Sequence, residues 1–446
     1  MPCYTTGGLL RGIFAIQMPP PLRFVAYYEQ VSGGARWEPF GHSNFTRIIE
    51  TMMERRASQL GQQELPLPDE VLAAPVLVAT PDAFQAMLVA LAGEPALALD
   101  TESDSLYRYY YKVCLIQIST PTTDYLVDPL SLPDISQLGQ IMANPAVQKV
   151  FHAAENDILV LKRDFGFQFA HIFDTMLAAR ILGWRRVGLA ALLAEHFGVA
   201  LDKRTQLTDW GRRPLSTEQL RYARLDSHYL LPLRDLQVRE LQARRRWREA
   251  QEAFAALPHV EYVEKSFASD GFWRVKGARE LGPRELAVLR ELYLWRDSQA
   301  RALDRPPFRV LNDEMLVRLS RQQPRRLDEL PLPRRQAARF GPAILAAIAR
   351  GQVAPIPEPP ARRDDDRPDP LTLACFDQLR AWRARRAAER GVDSDLILTN
   401  EALMAIARRA PATLAELASL QVMGTWKLEE YGAEILQVVR GARRRG

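Results

Sequence analysis

The pattern of apolar and polar positions changes at about residue 74, where short apolar runs begin to alternate with longer amphipathic stretches. Short runs rich in β-branched residues are typical of buried strands, and apolar positions three and four apart are typical of helices. Five runs predict strands: residues 76–78, 96–100, 114–119, 125–127 and 149–152. With the helices predicted between them, these runs indicate an α/β domain with a mixed sheet of about five strands.

Several helices have recognisable start signals. Asn156 is a candidate cap for a helix over residues 156–165, and a further helix is predicted over residues 173–182. Ser216 is a candidate cap for one long helix that reaches about residue 233. These helices follow the strands closely, which is the order expected of an α/β domain.

Beyond about residue 260 the strand-like runs stop, and the chain becomes helical and rich in proline. Residues 292–296 resemble residues 379–383, including Trp295 and Trp382, which indicates two copies of one small all-α domain. The expected organisation is an N-terminal segment of unknown role (1–72), the α/β domain (73–240), a connecting helical segment (241–282), a first helical domain (283–352), a proline-rich linker (353–370) and a second helical domain (371–446).

The predicted strand at residues 96–100 ends in two carboxylates, in the sequence ALALDTE. Side chains alternate between the two faces of a strand, so Asp100 and Glu102 are expected to point the same way. Two acids on one face at the end of a core strand repel each other unless a cation lies between them. The pair therefore has two interpretations: half of a divalent-metal site, or two acids in a solvated loop beyond the strand.

Further acids occur at positions that can converge on this pair. Asp157 lies at a helix start directly after the strand at residues 149–152, and Tyr222 and Asp226 are four apart on one predicted helix face. Asp174 also lies near a helix start, where capping and the helix dipole explain an aspartate without a catalytic role. Tyr222 alone is equally typical of a core aromatic residue with a solvated hydroxyl group.

Taken together, Asp100, Glu102, Asp157 and Asp226 supply hard oxygen ligands, which suit Mg²⁺ or Mn²⁺ rather than zinc. Two such ions, roughly 4 Å apart, can stabilise the attacking and the leaving oxygen of a phosphodiester displacement. The hydroxyl of Tyr222 would then hold and orient the attacking water. Because a tyrosine ordinarily has a pKa of about 10, the metal must supply most of the deprotonation.

Composition limits this interpretation without deciding it. Of the 446 residues, 47% are hydrophobic and 25% are charged, as in ordinary globular proteins, and no apolar run is long enough to span a bilayer. Three widely separated cysteines fit a reducing compartment and predict a cytoplasmic protein. The net charge of +5 is small for this length, so it permits nucleic-acid binding without arguing for it.

The motifs DTE, HAAEND and YARLD, in this order, resemble the three exonuclease motifs of the DEDD family. Tyr222 stands four residues before Asp226, which resembles the tyrosine branch; the position of the histidine in the other branch is occupied by Arg221. FDT at residues 173–175 and the run at residues 201–233 are similar to the ribonuclease D family. The two C-terminal helical blocks resemble the HRDC domain, which helicases and ribonuclease D share.

The resemblance implies a ribonuclease-H-like exonuclease fold followed by two HRDC domains. By position, it implies two divalent ions, Mg²⁺ or Mn²⁺, bound by Asp100, Glu102, Asp157 and Asp226, with Tyr222 positioning water. The implied activity is stepwise removal of 5′-mononucleotides from RNA 3′ ends. The implied partners are tRNA precursors or other small structured RNAs, with no membrane and no obligate protein partner.

Basic and aromatic residues near these motifs are candidate RNA contacts. Lys203, Arg204, Arg212 and Arg213 precede the third motif and are expected to contact phosphates, with a solvated loop as the alternative. Tyr107, in the run YRYYY, offers a platform for an unstacked base, although such aromatic residues more often pack on a sheet.

Two other functions stay open on the sequence alone. One is a 3′-5′ DNA exonuclease of the same family, because RNA is distinguished through its 2′-hydroxyl group and no motif announces that contact. The other is a nucleic-acid-binding module whose exonuclease fold is inert. The intact set of four acids and a tyrosine argues against the second alternative.

Overall fold

The computed structural model describes residues 10–15, 25–30, 73–264, 266–359 and 368–443. The chain separates into two compact units, Met1–Pro66 and Leu67–Gly446. In the first unit, β1 (Leu10–Ala15) and β2 (Val25–Gln30) pair as a two-stranded antiparallel sheet. The remainder of the segment at residues 1–72 lies outside the described residues.

A six-stranded mixed sheet forms the centre of the second unit. Its strands are β3 (Val76–Val78), β4 (Ala96–Ser103), β5 (Val113–Ser119), β6 (Asp124–Val127), β7 (Gln148–Phe151) and β8 (Ile172–Asp174). Their order across the sheet is β3-β6-β5-β4-β7-β8, with β5 antiparallel to both of its neighbours and the other neighbouring pairs parallel. The strand β4, which carries the DTE motif, is therefore an interior strand.

Helices cover both faces of this sheet. They are α1 (Pro81–Leu91), α2 (Leu138–Ala143), α3 (Glu155–Phe165), α4 (Thr175–Leu182), α5 (Leu189–Phe197), α6 (Thr217–His228), α7 (Leu230–Ala243) and α8 (Trp247–Ala256). Leu97 and Leu99 of β4 share one core cluster with α1 and α3. Ala96 and Ala98 point to the other face, where α4, α7 and α8 pack.

The α/β fold expected from the sequence is confirmed, with three local differences. The strand β8 is additional, because residue 173 was expected to begin a helix. Helix α3 begins at Glu155 without a side-chain cap, so Asn156 is not its cap. The helix expected to reach residue 233 is divided: α6 ends at His228 and α7 begins at Leu230.

Two helical domains follow the sheet. The first contains α9 (Pro283–Ala302), α10 (Pro307–Val310), α11 (Asp313–Gln322) and α12 (Arg334–Val353); the second contains α13 (Pro370–Arg390), α14 (Ser394–Ile397), α15 (Asn400–Arg409), α16 (Leu414–Ser419) and α17 (Thr425–Arg443). Their likeness extends to one buried arginine: Arg296 donates to the carbonyl of Leu311, and Arg383 donates to that of Leu398. In the described part of the chain, no helix is long and apolar enough to cross a membrane.

Both helical domains contact the sheet domain. In the first, Asp297 accepts a hydrogen bond from the Tyr109 hydroxyl at 2.7 Å, which ties α9 to the loop between β4 and β5. In the second, Arg390 pairs with the carboxylate of Glu249 on α8 and also contacts the Tyr431 hydroxyl. The first contact holds the β4–β5 loop, which follows the DTE motif, against the first helical domain. The second holds α8 against the second helical domain.

Candidate active site

Strand β4 and helix α6 bring three acids together on one face of the sheet. Asp100 and Glu102 alternate with Thr101 along β4, so both point towards α6, as the two-residue period of a strand requires. Asp226 approaches from α6, whose start is fixed by a capping box between Ser216 and Gln219. One carboxylate oxygen from each acid lies within 4.8 Å of the others.

Asp157 reaches the cluster from the opposite side. Its helix, α3, packs through Ile158 against the sheet face that carries Leu97 and Leu99, whereas α6 covers the other face. Asp157 is in the first turn of α3, beyond the end of β7, and accepts a hydrogen bond of 2.5 Å from the Thr101 hydroxyl. Its carboxylate thus lies beside the group of three acids rather than within it.

Burial raises the pKa of every acid in this cluster, and repulsion from the other acids adds to the shifts of Asp100, Glu102 and Asp226. Burial, and next the charges of Asp157, Asp226 and Glu102, hold the pKa of Asp100 well above its usual value. Burial raises the pKa of Glu102 to about 9 and that of Asp226 to about 8, and the Tyr222 hydroxyl opposes part of the latter shift. Burial raises the pKa of Asp157 to about 7, against the hydrogen bond from Thr101.

This cluster fits divalent cations. Its donors are carboxylate oxygens, with no cysteine or histidine in the group of three, and such hard ligands suit Mg²⁺ or Mn²⁺. Within the described ranges, the leading causes that shift the pKa values of the four acids include no lysine or arginine. A bound cation would supply the positive charge that these buried acids lack.

Tyr222 lies in the same site. Its ring packs near Trp210, with 6.2 Å between centroids, in a cluster that also contains Leu115 of β5. Burial raises the pKa of its hydroxyl, and the charges of Asp226, Glu102 and Asp100 raise it further. The hydroxyl therefore stays protonated at neutral pH and can act as a hydrogen-bond partner rather than as a base.

The candidate RNA contacts lie in different environments. Lys203 and Arg212 are exposed. Arg204 is exposed as well, and its guanidinium pairs with Asp202 at 2.6 Å. Lys203 and Arg212 thus leave accessible positive charge on the segment that precedes α6, whereas Asp202 offsets the charge of Arg204.

Arg213 has a structural role instead of the expected RNA contact. Its guanidinium donates to both carboxylate oxygens of Asp128 and to the carbonyls of Trp210, Arg212 and Cys114. All five of its N–H groups are thereby used within the protein, which leaves none for a phosphate. The sequence did not indicate this because Asp128 and Cys114 are remote along the chain.

Tyr107 is half-buried at the contact with the first helical domain. Its hydroxyl donates to the carbonyl of Leu207 at 2.8 Å, and the guanidinium of Arg309 lies 5.0 Å from its ring centroid. Arg309 thus occupies one side of the ring. A base could stack only on what remains of the ring surface.

Thr101 is the residue near the site that sequence reasoning missed. Strand alternation places it on the opposite face from Asp100 and Glu102, where it meets Asp157. The signal was present in the DTE motif, but the partner follows 56 residues later and depends on how α3 packs.

Comparisons with known proteins show which family the chain belongs to. The family model described as 3′-5′ exonuclease matches residues 75–242, and the model described as HRDC domain matches residues 285–348 and 372–439. The protein therefore belongs to the class of 3′-5′ exonucleases that carry two C-terminal HRDC domains. Relatives that this chain matches over nearly their full length identify one family within this class.

The chain belongs to the ribonuclease D family and is a 3′-5′ exoribonuclease. Ribonuclease D of Acidiphilium cryptum is 30% identical over 381 residues, which cover 82% of this chain and 93% of that protein. Ribonuclease D of Jannaschia sp. is 31% identical and is covered to 96% of its length. The crystal structure of Escherichia coli RNase D aligns with a TM-score of 0.57 at 26% identity, over 83% of this chain and 99% of that one. The family confirms RNA as the partner, and with the acid cluster it indicates dependence on divalent metal.

Proposed function

We propose that Asp100, Glu102, Asp157, Asp226 and Tyr222 form one catalytic centre that removes 5′-mononucleotides from RNA 3′ ends. The observation that carries this proposal is the convergence of three carboxylates within 4.8 Å, from a strand and a helix that are far apart in sequence. The family alone would not identify the residues, whereas this geometry makes Asp100, Glu102 and Asp226 a candidate metal site among the acids of the described ranges.

The acids divide into two ligand sets. Asp100, Glu102 and Asp226 are close enough to share one ion, and Asp157, whose charge acts on the pKa of Asp100, would bind a second ion together with Asp100. When bound, the ions would neutralise the charge on the scissile phosphate and activate water as a nucleophile. Thr101 holds Asp157 through its hydroxyl, and the buried strand β4 fixes Asp100 and Glu102.

Tyr222 would orient the attacking water. Its protonated hydroxyl lies among Asp226, Glu102 and Asp100, so it can donate one hydrogen bond and accept another near these acids. A tyrosine ordinarily has a pKa of about 10, so at neutral pH this hydroxyl is a hydrogen-bond partner rather than a general base. Its contribution would come from placing the water in line with the phosphorus atom.

The proposed substrates are structured RNAs with short 3′ extensions, such as tRNA precursors, in the cytoplasm. Support comes from the two HRDC domains, from the exposed Lys203, Arg204 and Arg212, and from the description of E. coli RNase D as an exoribonuclease involved in structured RNA processing. The proposal needs no protein partner.

A tRNA transcript whose short 3′ extension is labelled at every nucleotide tests this function. With Mg²⁺ or Mn²⁺ we expect labelled 5′-mononucleotides, released stepwise and faster than from a matched DNA strand. Chelator should abolish release, and Asp226→Asn should abolish it while leaving binding of the transcript intact. Release in chelator, failure with both metals, or faster digestion of the DNA would contradict the proposal.

A further inference from the structure

The turn between β7 and α3 determines where Asp157 lies. It contains Ala153, whose φ of 63° is in the left-handed region that a residue with a Cβ atom adopts only at an energetic cost. Four residues later α3 presents Asp157 in its first turn. A turn of this kind persists only where its surroundings hold it.

Asp174, at the end of β8, provides much of that restraint. One of its carboxylate oxygens accepts hydrogen bonds from the backbone N–H groups of Ala153, Met176 and Leu177. The other accepts a hydrogen bond of 2.9 Å from the N–H of Ala154. Its side chain is only 4% exposed, so one buried carboxylate caps α4 and also binds the β7–α3 turn.

Thr175 adds a second set of bonds to the same turn. Its hydroxyl donates to the carbonyl of Phe151 at 3.0 Å, and the Nδ1 atom of His152 lies 2.9 Å from that hydroxyl. Together the two side chains bond to all four consecutive residues from 151 to 154. Gln237 on α7 donates to the Thr175 carbonyl at 2.8 Å and fixes Thr175 in turn.

We propose that Asp174 and Thr175 are positioning residues that hold the β7–α3 turn so that Asp157 faces the acid cluster. The inference rests on the proposed function, in which Asp157 is a metal ligand. Neither residue need touch RNA or metal. Partners of this kind behind a ligand commonly change metal affinity or activity by about 10- to 100-fold when removed.

Asp174→Asn separates the two tasks of this carboxylate. Asparagine retains one acceptor oxygen and is a good helix cap, so α4 keeps its start. Its amide nitrogen replaces the oxygen that binds the N–H of Ala154, and two donors then face each other. Asp369→Asn is a matched control, because Asp369 caps α13 in the same manner, far along the chain from this turn.

The readouts are binding of Mn²⁺ alone, followed by electron paramagnetic resonance of the free ion, and kcat and KM on RNA. For Asp174→Asn we expect Mn²⁺ affinity and kcat to fall by about 10- to 100-fold, with KM nearly unchanged. Adding Ala153→Gly should restore part of both, because glycine adopts the left-handed conformation without strain. Asp369→Asn should change neither.

Asp157→Ala distinguishes failure of this inference from failure of the proposed function. If Asp157→Ala weakens Mn²⁺ binding and kcat but Asp174→Asn leaves both as in the wild type, the positioning role is wrong and the function stands. If Asp157→Ala itself changes neither, the proposed function fails. Should Asp174→Asn not fold, Thr175→Val compared with Thr175→Ser gives the same test, since serine keeps the hydroxyl.

Discussion

Tyr222 carries a hydroxyl group among three carboxylates, and its environment favours the protonated form. Tyr222→Phe removes this hydroxyl while keeping the ring that packs near Trp210. We expect the single-turnover rate of nucleotide release to fall by about 100-fold or more, as for loss of a positioned proton-transfer or water-orienting group. Mn²⁺ affinity should not change. A rate within a factor of about two of the wild type would remove Tyr222 from the mechanism.

Replacing Arg213 with alanine is expected to lower stability, whereas replacing its neighbour Arg212 is expected to lower RNA affinity. Arg213→Ala leaves Asp128 buried without its ion-pair partner, which should lower the free energy of unfolding by roughly 3 kcal/mol. Arg212→Ala should barely change stability but should weaken RNA binding in a salt-dependent way. Urea denaturation and filter binding measure the two effects. Equal loss of RNA affinity in both variants, at unchanged stability, would contradict the structural role of Arg213.

For single residues, the sequence predicted which side chains lie together only where strand or helix periodicity determines it. Alternation along one strand placed Asp100 and Glu102 together, and helical spacing placed Tyr222 and Asp226 together. The contacts of Thr101 and Arg213 were not predictable, because their partners lie 56 and 85 residues away. Such pairs depend on how elements pack, which no local pattern encodes.

The elements were predictable where caps and periodicity are strong. Ser216 begins α6 as expected, and its capping box with Gln219 is present. The strand β8 was missed because it runs directly into α4 at Thr175, so that its apolar residues were included in the helix, and because its identity depends on parallel pairing with β7. The break at Tyr229 does have a signal, because Pro232 has no N–H to donate to the carbonyl of His228; the prediction of one continuous helix overlooked it.

Lys149 connects the end of α2 to β7, and the titration of its amine is expected to make the free energy of unfolding depend on pH. Its fully buried amine donates to the carbonyls of Asn144 and Val147, and burial lowers its pKa to about 8. Between pH 8 and the unfolded-state value of 10.5 the unfolded chain binds more protons, so the free energy of unfolding should rise with pH in this window.

Lys149→Met provides the comparison for this effect. Urea denaturation of both proteins from pH 7.5 to about pH 10.5 should show the stability of the wild type rising relative to that of the variant. The difference isolates Lys149 from the tyrosines and cysteines that titrate in the same range. Parallel pH profiles for the two proteins would show that the amine keeps an ordinary pKa.

For the molecule as a whole, the second helical domain is fixed to the sheet domain through a buried ion pair. Glu249, 2% exposed, pairs with Arg390, and Glu252 accepts hydrogen bonds from the N–H groups of Trp426 and Lys427 at the start of α17. Glu249→Gln should weaken this contact by roughly 3 kcal/mol. We expect faster hydrogen exchange at the start of α17 and unchanged exchange in β4.

A surface pair gives the control for this prediction. Arg248 pairs with Glu429 at the same contact, but both side chains are largely exposed, so Arg248→Ala should change exchange little. If Glu249→Gln and Arg248→Ala behaved alike, the buried pair would not be what holds the domain.

The six segments predicted from the sequence keep their limits as predictions. Contacts between domains, such as the Glu249–Arg390 pair, do not define the residue at which a domain begins or ends.

The central claim is that three acids from β4 and α6, with Asp157 beside them, hold divalent metal at the catalytic centre. Anomalous diffraction from crystals grown with Mn²⁺ tests it most directly. We expect a manganese peak coordinated by carboxylate oxygens of Asp100, Glu102 and Asp226, at about 2.2 Å. A map with no peak at this cluster, from protein that degrades RNA with Mn²⁺, would contradict the account.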